Sequence, residues 1–135
     1  MALALAEAGA HVAVHYHRSS AAAEATADAI RALGRQAVTI QADLGDMGAV
    51  RELIPAARES LGCVSILVNS AAIFERGTLA TTTEELWDRH LDINLKAPFF
   101  LCREFAARLG HNKPGWIVNL VDWRAETPPP DFLAY

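Results

Sequence analysis

Strand-length apolar runs alternate with helix-length segments along the whole chain, with no linker or internal repeat between them. Strands joined by helical crossovers lie parallel, because a right-twisted strand feeding a right-handed helix packs back onto the sheet only that way. The pattern therefore specifies an α/β class, a doubly wound parallel sheet with helices on its faces, in a single domain over 1–135. The strands are His11 to Tyr16, Gln36 to Gln41, Val64 to Asn69 and Trp116 to Leu120, the last two read as buried. A helix over Leu3 to Ala10 precedes them, and Ala21 to Leu33 ends at Gly34. Met47 to Leu61 closes on Gly62, and a long helix runs from Thr83 or Glu84 to Leu109, where Pro98 bends or divides it. Thr82 or Thr83 caps that helix. A Pro128-Pro129-Pro130 loop leads to Phe132 and Tyr135.

Composition removes several function classes. A net charge of −4 with interleaved signs offers no nucleic-acid footprint. Lys96, Arg103 and Glu104 interrupt the most apolar helix, so no membrane span is expected, and Glu7 spoils any signal peptide at the start. Cys63 and Cys102 stand far apart among apolar neighbours, which reads as buried reduced thiols in a cytosolic (cytoplasmic) protein. Trp87, Trp116 and Trp123 read as core or loop-cover aromatics, with Trp123 beside Asp122 placed to line a substrate pocket.

Ligands of parallel sheets bind beyond the carboxyl ends of the strands. His17-Arg18, Asp43, Asn69 to Phe74 and Asp122 all fall at such ends. At the tip of the strand where a dinucleotide's adenosine ribose lies, an acid selects the 2′-hydroxyl of NAD, whereas Arg accommodates the 2′-phosphate of NADP. Arg18 stands there with no acid nearby; the plainer reading is a polar turn. His15 and His17 share one strand face and offer two metal ligands, but His11, His90 and His111 are scattered and no third ligand has suitable spacing, so no metal is expected.

Four stretches carry a family resemblance: Ala42-Asp43-Leu44, Leu67-Val68-Asn69-Ser70-Ala71-Ala72, Asp92-Ile93-Asn94-Leu95, and the spacing from Asp122 to Tyr135. Over nearly its whole length the chain resembles the short-chain dehydrogenase/reductase family, whose fold is a Rossmann-type doubly wound sheet. His15-Tyr16-His17-Arg18-Ser19, Phe74 after Asn69, and Asp122 in place of Ser are similar to the pteridine reductase branch. The resemblance implies NADP(H) as cofactor. Arg18, His17 and Ser19 then hold the 2′-phosphate, a guanidinium matching phosphate in a bidentate fork. It further implies that Asp43 accepts from the adenine amino group with Leu44 beside the ring. Asn69, Ser70 and Ala71 let the backbone approach the cofactor, although Ser70-Ala71-Ala72 departs from the Asn-Ala-Gly of most members. Tyr135 is implied as general acid, Asp122 as its partner in proton delivery, Asn94 as anchor of a relay water, and Phe74 as a platform for a flat heteroaromatic ring. Each residue has a plainer role open to it: a turn acid for Asp43, a solvent-facing amide for Asn94, a loop-packing aromatic for Phe74, a strand-end turn for Asp122.

The same resemblance implies a sequence truncated at both ends. The first strand with its Gly-rich turn and the segment after Tyr135, with a Lys four residues on, are expected in a whole member. The expected function is reduction of a pterin-like C=N bond by hydride transfer to a small-molecule substrate. The alternatives are a carbonyl reductase acting on an oxoacyl, steroid or sugar substrate, or a non-catalytic piece that only associates with homologues through Trp87 to Leu109. The parent is expected to be a homo-oligomer.

Overall fold

The computed structural model describes residues 1–110, 113–127 and 129–135; His111 and Pro128, named above, lie outside them. The chain forms two compact units, Met1–Val64 and Ser65–Tyr135.

The first unit runs α1 (Ala2–Glu7), β1 (Val12–Tyr16), α2 (Ser20–Ala32), β2 (Ala37–Gln41) and α3 (Met47–Leu61). β1 and β2 pair in parallel, from Val12 opposite Ala37 to Tyr16 opposite Gln41, with α2 as the crossover. Helical spacing explains the packing: Ala23, Ala27 and Ile30 lie on one face of α2 and are buried. Ala27 and Ile30 join Ala6 and Ala37 in a core closed by Ala2, Val12 and Val14. Val50, Leu53, Ile54 and Ala57 form the buried stripe of α3, which packs on β1 and β2 and continues through Pro55. Gly34 ends α2 at φ 74°, a conformation that strains any residue with a Cβ. Asp46 caps α3 by accepting from the Gly48 amide at 2.7 Å.

The second unit contains β3 (Ile66–Asn69), α4 (Glu84–Leu91), a π-helical turn (Asp92–Lys96), α5 (Ala97–Leu109), β4 (Trp116–Asn119) and a 3₁₀ turn (Trp123–Ala125). β3 and β4 pair in parallel, Ile66 opposite Trp116 and Asn69 opposite Asn119. Thr83 is the α4 cap, accepting from the Leu86 amide at 3.2 Å. Among the described residues the strands form two separate pairs. The expected α/β class with parallel strands is thus what the chain adopts.

Four expectations need correction. The long helix breaks one turn before Pro98, not at it. Pro98 sits in the first turn of α5, directly after a π turn. The carbonyl deprived of a donor is that of Asn94, four residues earlier, and the i→i+4 ladder gives way there to a π turn in which the Ala97 amide reaches the Asp92 carbonyl. β4 is exposed at all four residues rather than buried, because it pairs with β3 alone among the described strands. Trp87, Trp116 and Trp123 are exposed, not core. Cys63 is exposed too, since it follows Gly62 (φ 82°) in the turn between α3 and β3; Cys102 is half-buried. No helix among the described residues is long and apolar enough to cross a membrane.

Ile30 is fully buried in the first unit's core while Leu79 is 90% exposed. Ile30→Ala is expected to destabilise by about 2–5 kcal/mol and Leu79→Ala by under about 0.5 kcal/mol, read from urea midpoints.

Candidate active site

In the first unit, β1 delivers His17, Arg18 and Ser19 to the start of α2. Ser19 occupies the N-cap position, yet its side chain makes no capping hydrogen bond. The leading amides of a 13-residue helix therefore lack a side-chain acceptor, and they carry the positive end of its dipole. Arg18 is exposed beside them and has no ion-pair partner among the described residues. Unpaired amides and an unpaired guanidinium suit a phosphate. His17 Nε2 lies 3.6 Å from Asp43 Oδ2, while Asp43 Oδ1 accepts from the Gly45 amide at 2.9 Å. Asp43 thus closes an Asx turn after β2 and keeps one oxygen facing His17. Leu44 is buried, so it packs inward rather than lying open beside a bound ring. His15 does not join His17 at a ligand: its Nε2–H donates to the Ala42 carbonyl at 3.0 Å. No cluster of three or more metal-ligating side chains exists among the described residues.

In the second unit, Asn69 ends β3 and donates to Asn119 Oδ1 at 2.8 Å and to Cys102 Sγ at 3.4 Å, tying β3 to β4 and α5. Ser70 and Ala71 follow, both exposed. Asn94 projects from the π turn: its Oδ1 accepts from the Ile73 amide and its Nδ2 donates to the Ile73 carbonyl, each at 2.9 Å. It is neither solvent-facing nor free, since both ends of its amide hold the loop that carries Phe74.

Tyr135, Asp122 and Phe74 come together, although 61 positions separate the first from the last in sequence. The Tyr135 hydroxyl donates to Asp122 Oδ2 at 3.2 Å. The Phe74 ring meets Tyr135 edge-on at 4.6 Å between centroids. Two residues that the sequence reading missed complete the group. Phe132 stacks flat on Phe74 at 4.0 Å and 3°. Arg124 donates its backbone amide to Asp122 Oδ1 at 3.0 Å and Nη1 to Oδ2 at 3.1 Å. Its guanidinium lies 5.2 Å from the Phe74 centroid and 5.1 Å from that of Trp123. The available signal was spacing: an Asp two residues before a basic residue at a strand end makes an Asx turn that returns the cation to the carboxylate. Trp123 itself is 70% exposed.

Charge sets the protonation of this group. The Arg124 backbone amide, then its side chain and the Tyr135 hydroxyl, hold Asp122 below the usual carboxylate range. Burial, then the charge of Asp122, raises the Tyr135 phenol; Arg124 opposes them and is outweighed. Near neutrality the site therefore pairs an ionised carboxylate with a protonated phenol.

A sequence profile described as short chain dehydrogenase matches residues 1–135. The chain belongs to that family. It is 36% identical over 121 residues to the 3-oxoacyl-[acyl-carrier-protein] reductase FabG of Staphylococcus epidermidis, covering 90% of this chain and 50% of that protein. The crystal structure of FolM Alternative dihydrofolate reductase 1 from Brucella suis, in complex with NADP, superposes with a TM-score of 0.90 at 35% identity, over 97% of this chain and 54% of that one. A short-chain dehydrogenase from Burkholderia cenocepacia J2315, also in complex with NADP, gives a TM-score of 0.91 at 37% identity, over 98% and 54%. The chain spans about half the length of the curated relatives it matches, 43–53% for the first three.

Tyr135 is expected to ionise above the usual phenol value of about 10, followed by ultraviolet difference absorbance in a Tyr16→Phe background. Asp122→Asn should bring it down without abolishing the shift, because burial is the larger cause. A phenol titrating at or below the free value would contradict this geometry. The raised phenol stabilises the fold below its unfolded pKa and loses that contribution as pH rises through the folded one. The lowered Asp122 contributes above its unfolded pKa and loses it as pH falls. The pair's contribution therefore spans roughly pH 4 to 10.

Proposed function

We propose that the protein of which this chain is part, or the whole, is an NADPH-dependent reductase of a flat conjugated ring, reducing a pterin-like C=N bond. The observation that carries this reading is the Tyr135–Asp122 hydrogen bond at 3.2 Å, set edge-on to Phe74. The structural match to an alternative dihydrofolate reductase in complex with NADP supports it.

The first unit supplies what a 2′-phosphate needs: the Arg18 guanidinium, the Ser19 hydroxyl released from capping, the free amides of α2, and His17. Asp43, through the oxygen not spent on Gly45, is the acceptor for an adenine amino group. Asn69, Ser70 and Ala71 form the strand end along which the nicotinamide half is held, and its reduced form supplies the hydride. Tyr135 gives its proton to the atom beside the hydride acceptor. Asp122 holds the phenol in line, and Arg124 offsets the negative charge that develops when the proton leaves. Asn94 contributes through its backbone. The residue four positions on is Pro98, so the Asn94 carbonyl keeps a lone pair for a relay water. Phe74 provides the stacking face and Trp123 flanks it.

A second reading, a carbonyl reductase on an oxoacyl or similar substrate, is favoured by one observation. Phe132 already covers a face of Phe74, leaving less of the ring for a flat substrate; the FabG relatives are reductases of this kind. We further propose that the parent protein is a homo-oligomer joined through the α4–α5 segment, where Trp87, Leu91, Leu95 and Phe99 are exposed.

In the protein carrying this segment, Arg18→Ala should weaken NADPH by about 10- to 100-fold and NADH by little. Equal losses would remove the 2′-phosphate role. Phe74→Ala should raise KM for dihydrofolate by about tenfold or more while changing that for a simple ketone under about threefold. The reverse pattern would favour the carbonyl reading.

A further inference from the structure

His90 is the buried polar side chain of the described core, with no solvent exposure, and none of the chemistry above uses it. Its Nδ1 is 2.8 Å from the Leu86 carbonyl, and its Nε2 is 3.2 Å from the Glu75 amide nitrogen. A carbonyl only accepts and an amide N–H only donates. The proton therefore sits on Nδ1, and Nε2 is a bare acceptor. One helical turn later Asn94 clasps Ile73 at both its amide and its carbonyl. Positions four apart on a helix share a face, so the two side chains reach the same loop. They grip Ile73 and Glu75, the two neighbours of Phe74, and leave the ring between them free to face Tyr135.

We propose that His90 is a positioning residue for substrate: with Asn94 it fixes the backbone on either side of Phe74 and so sets the ring against Tyr135 and Asp122. This deepens, and rests on, the reading of Phe74 as the face that meets a flat substrate. The helical bond from Nδ1–H to Leu86 orients the imidazole, and the tautomer it enforces is the one that can receive the loop. A carbon ring of similar size at position 90 fills the same space but leaves the Glu75 amide without a partner, at a site with little access to water. Glutamine, whose side-chain oxygen reaches the place of Nε2, restores an acceptor. The surface pair of Glu75 with Arg89 (2.6 Å) acts on the side chain of Glu75, not its amide, and as an exposed pair it cannot replace the buried bond.

The test uses the protein carrying this segment and three readouts. Long-range proton–nitrogen correlation spectra of wild type should show His90 as the Nδ1–H tautomer. Amide exchange at Glu75 should accelerate by about tenfold or more in His90→Phe, with Leu67 and Val68 in β3 unchanged, and recover most of its protection in His90→Gln. Dihydrofolate affinity should fall by about tenfold in His90→Phe and return in His90→Gln, while NADPH affinity holds in both. The opposite tautomer, unchanged Glu75 exchange in His90→Phe, or a glutamine variant as impaired as the phenylalanine one would each overturn the proposal. Should His90→Phe fail to fold, the wild-type tautomer and the glutamine variant still decide it. Wild type that ignores dihydrofolate would sink the pterin reading alone, because the Glu75 exchange judges the positioning role without any ligand.

Discussion

Gly77 pairs with the chain segment before Tyr135 through two backbone hydrogen bonds, its amide to the Asp131 carbonyl at 2.8 Å and its carbonyl to the Leu133 amide at 3.0 Å. The candidate site of the second unit is assembled around that join. A Cβ at Gly77 would lie 2.6 Å from Thr82 Oγ1 and 2.9 Å from Leu86 Cδ2, so a larger residue there has to displace those two side chains. The exposed Arg76–Asp131 ion pair at 2.7 Å lies beside it but adds little by itself. Once the two segments meet there, Phe74 and Phe132 fall face to face and Tyr135 is delivered to Asp122. On the opposite side the same loop is held by His90 and Asn94. A short segment fastened on both flanks keeps an aromatic ring in place at low conformational cost, which is what a stacking platform requires.

The charges of that group are matched to a resting state rather than to a reaction in progress. The carboxylate of Asp122 has three donors aimed at it and stays ionised, and that ionised partner helps keep the phenol of Tyr135 protonated. A protonated phenol is the correct starting form for an acid. In the proposed reaction its difficulty comes afterwards, when a phenolate must exist beside a carboxylate, and positive charge is then needed close by. Arg124 is placed for that task, tethered to Asp122 by both backbone and side chain and lying near the Phe74 and Trp123 rings. The short Asx turn that creates this arrangement costs no long-range contact, so the cation and the acid are built as one local unit.

The α4–α5 segment shows how a single covalent fact propagates. Proline at 98 cannot donate to the carbonyl at 94, and the helix absorbs the loss as a π turn over Asp92–Lys96. That turn lies where Asn94 reaches Ile73. Along this segment Trp87, Leu91, Leu95 and Phe99 are exposed, and β4 with the following Leu120 and Val121 is exposed as well. Apolar surface of this extent on helix and strand edges is available for further packing.

Much was legible without coordinates because it depends on local chemistry. Period-two and period-3.6 patterns located the helices and strands, Gly34 and Gly62 their ends, and Thr82 or Thr83 a cap, of which the structure uses Thr83, since each follows from backbone geometry within a few residues. The short motifs around Asp43, Asn69 and Asn94 carried the family for the same reason. Burial was not legible: Trp116, Trp123 and Cys63 are apolar but exposed, because exposure depends on what lies across from a residue rather than on the residue. Nor was the partnership of Phe74 with Phe132 or of His90 with Glu75, whereas that of Tyr135 with Asp122 was implied only through the family resemblance. The sequence by itself determined which segments are helix or strand and which residue types are available for chemistry, because those are set by torsions and spacing along the chain. Only the tertiary structure decided which of them meet, because the Gly77 join and the imidazole–amide bond form between positions that no periodicity relates.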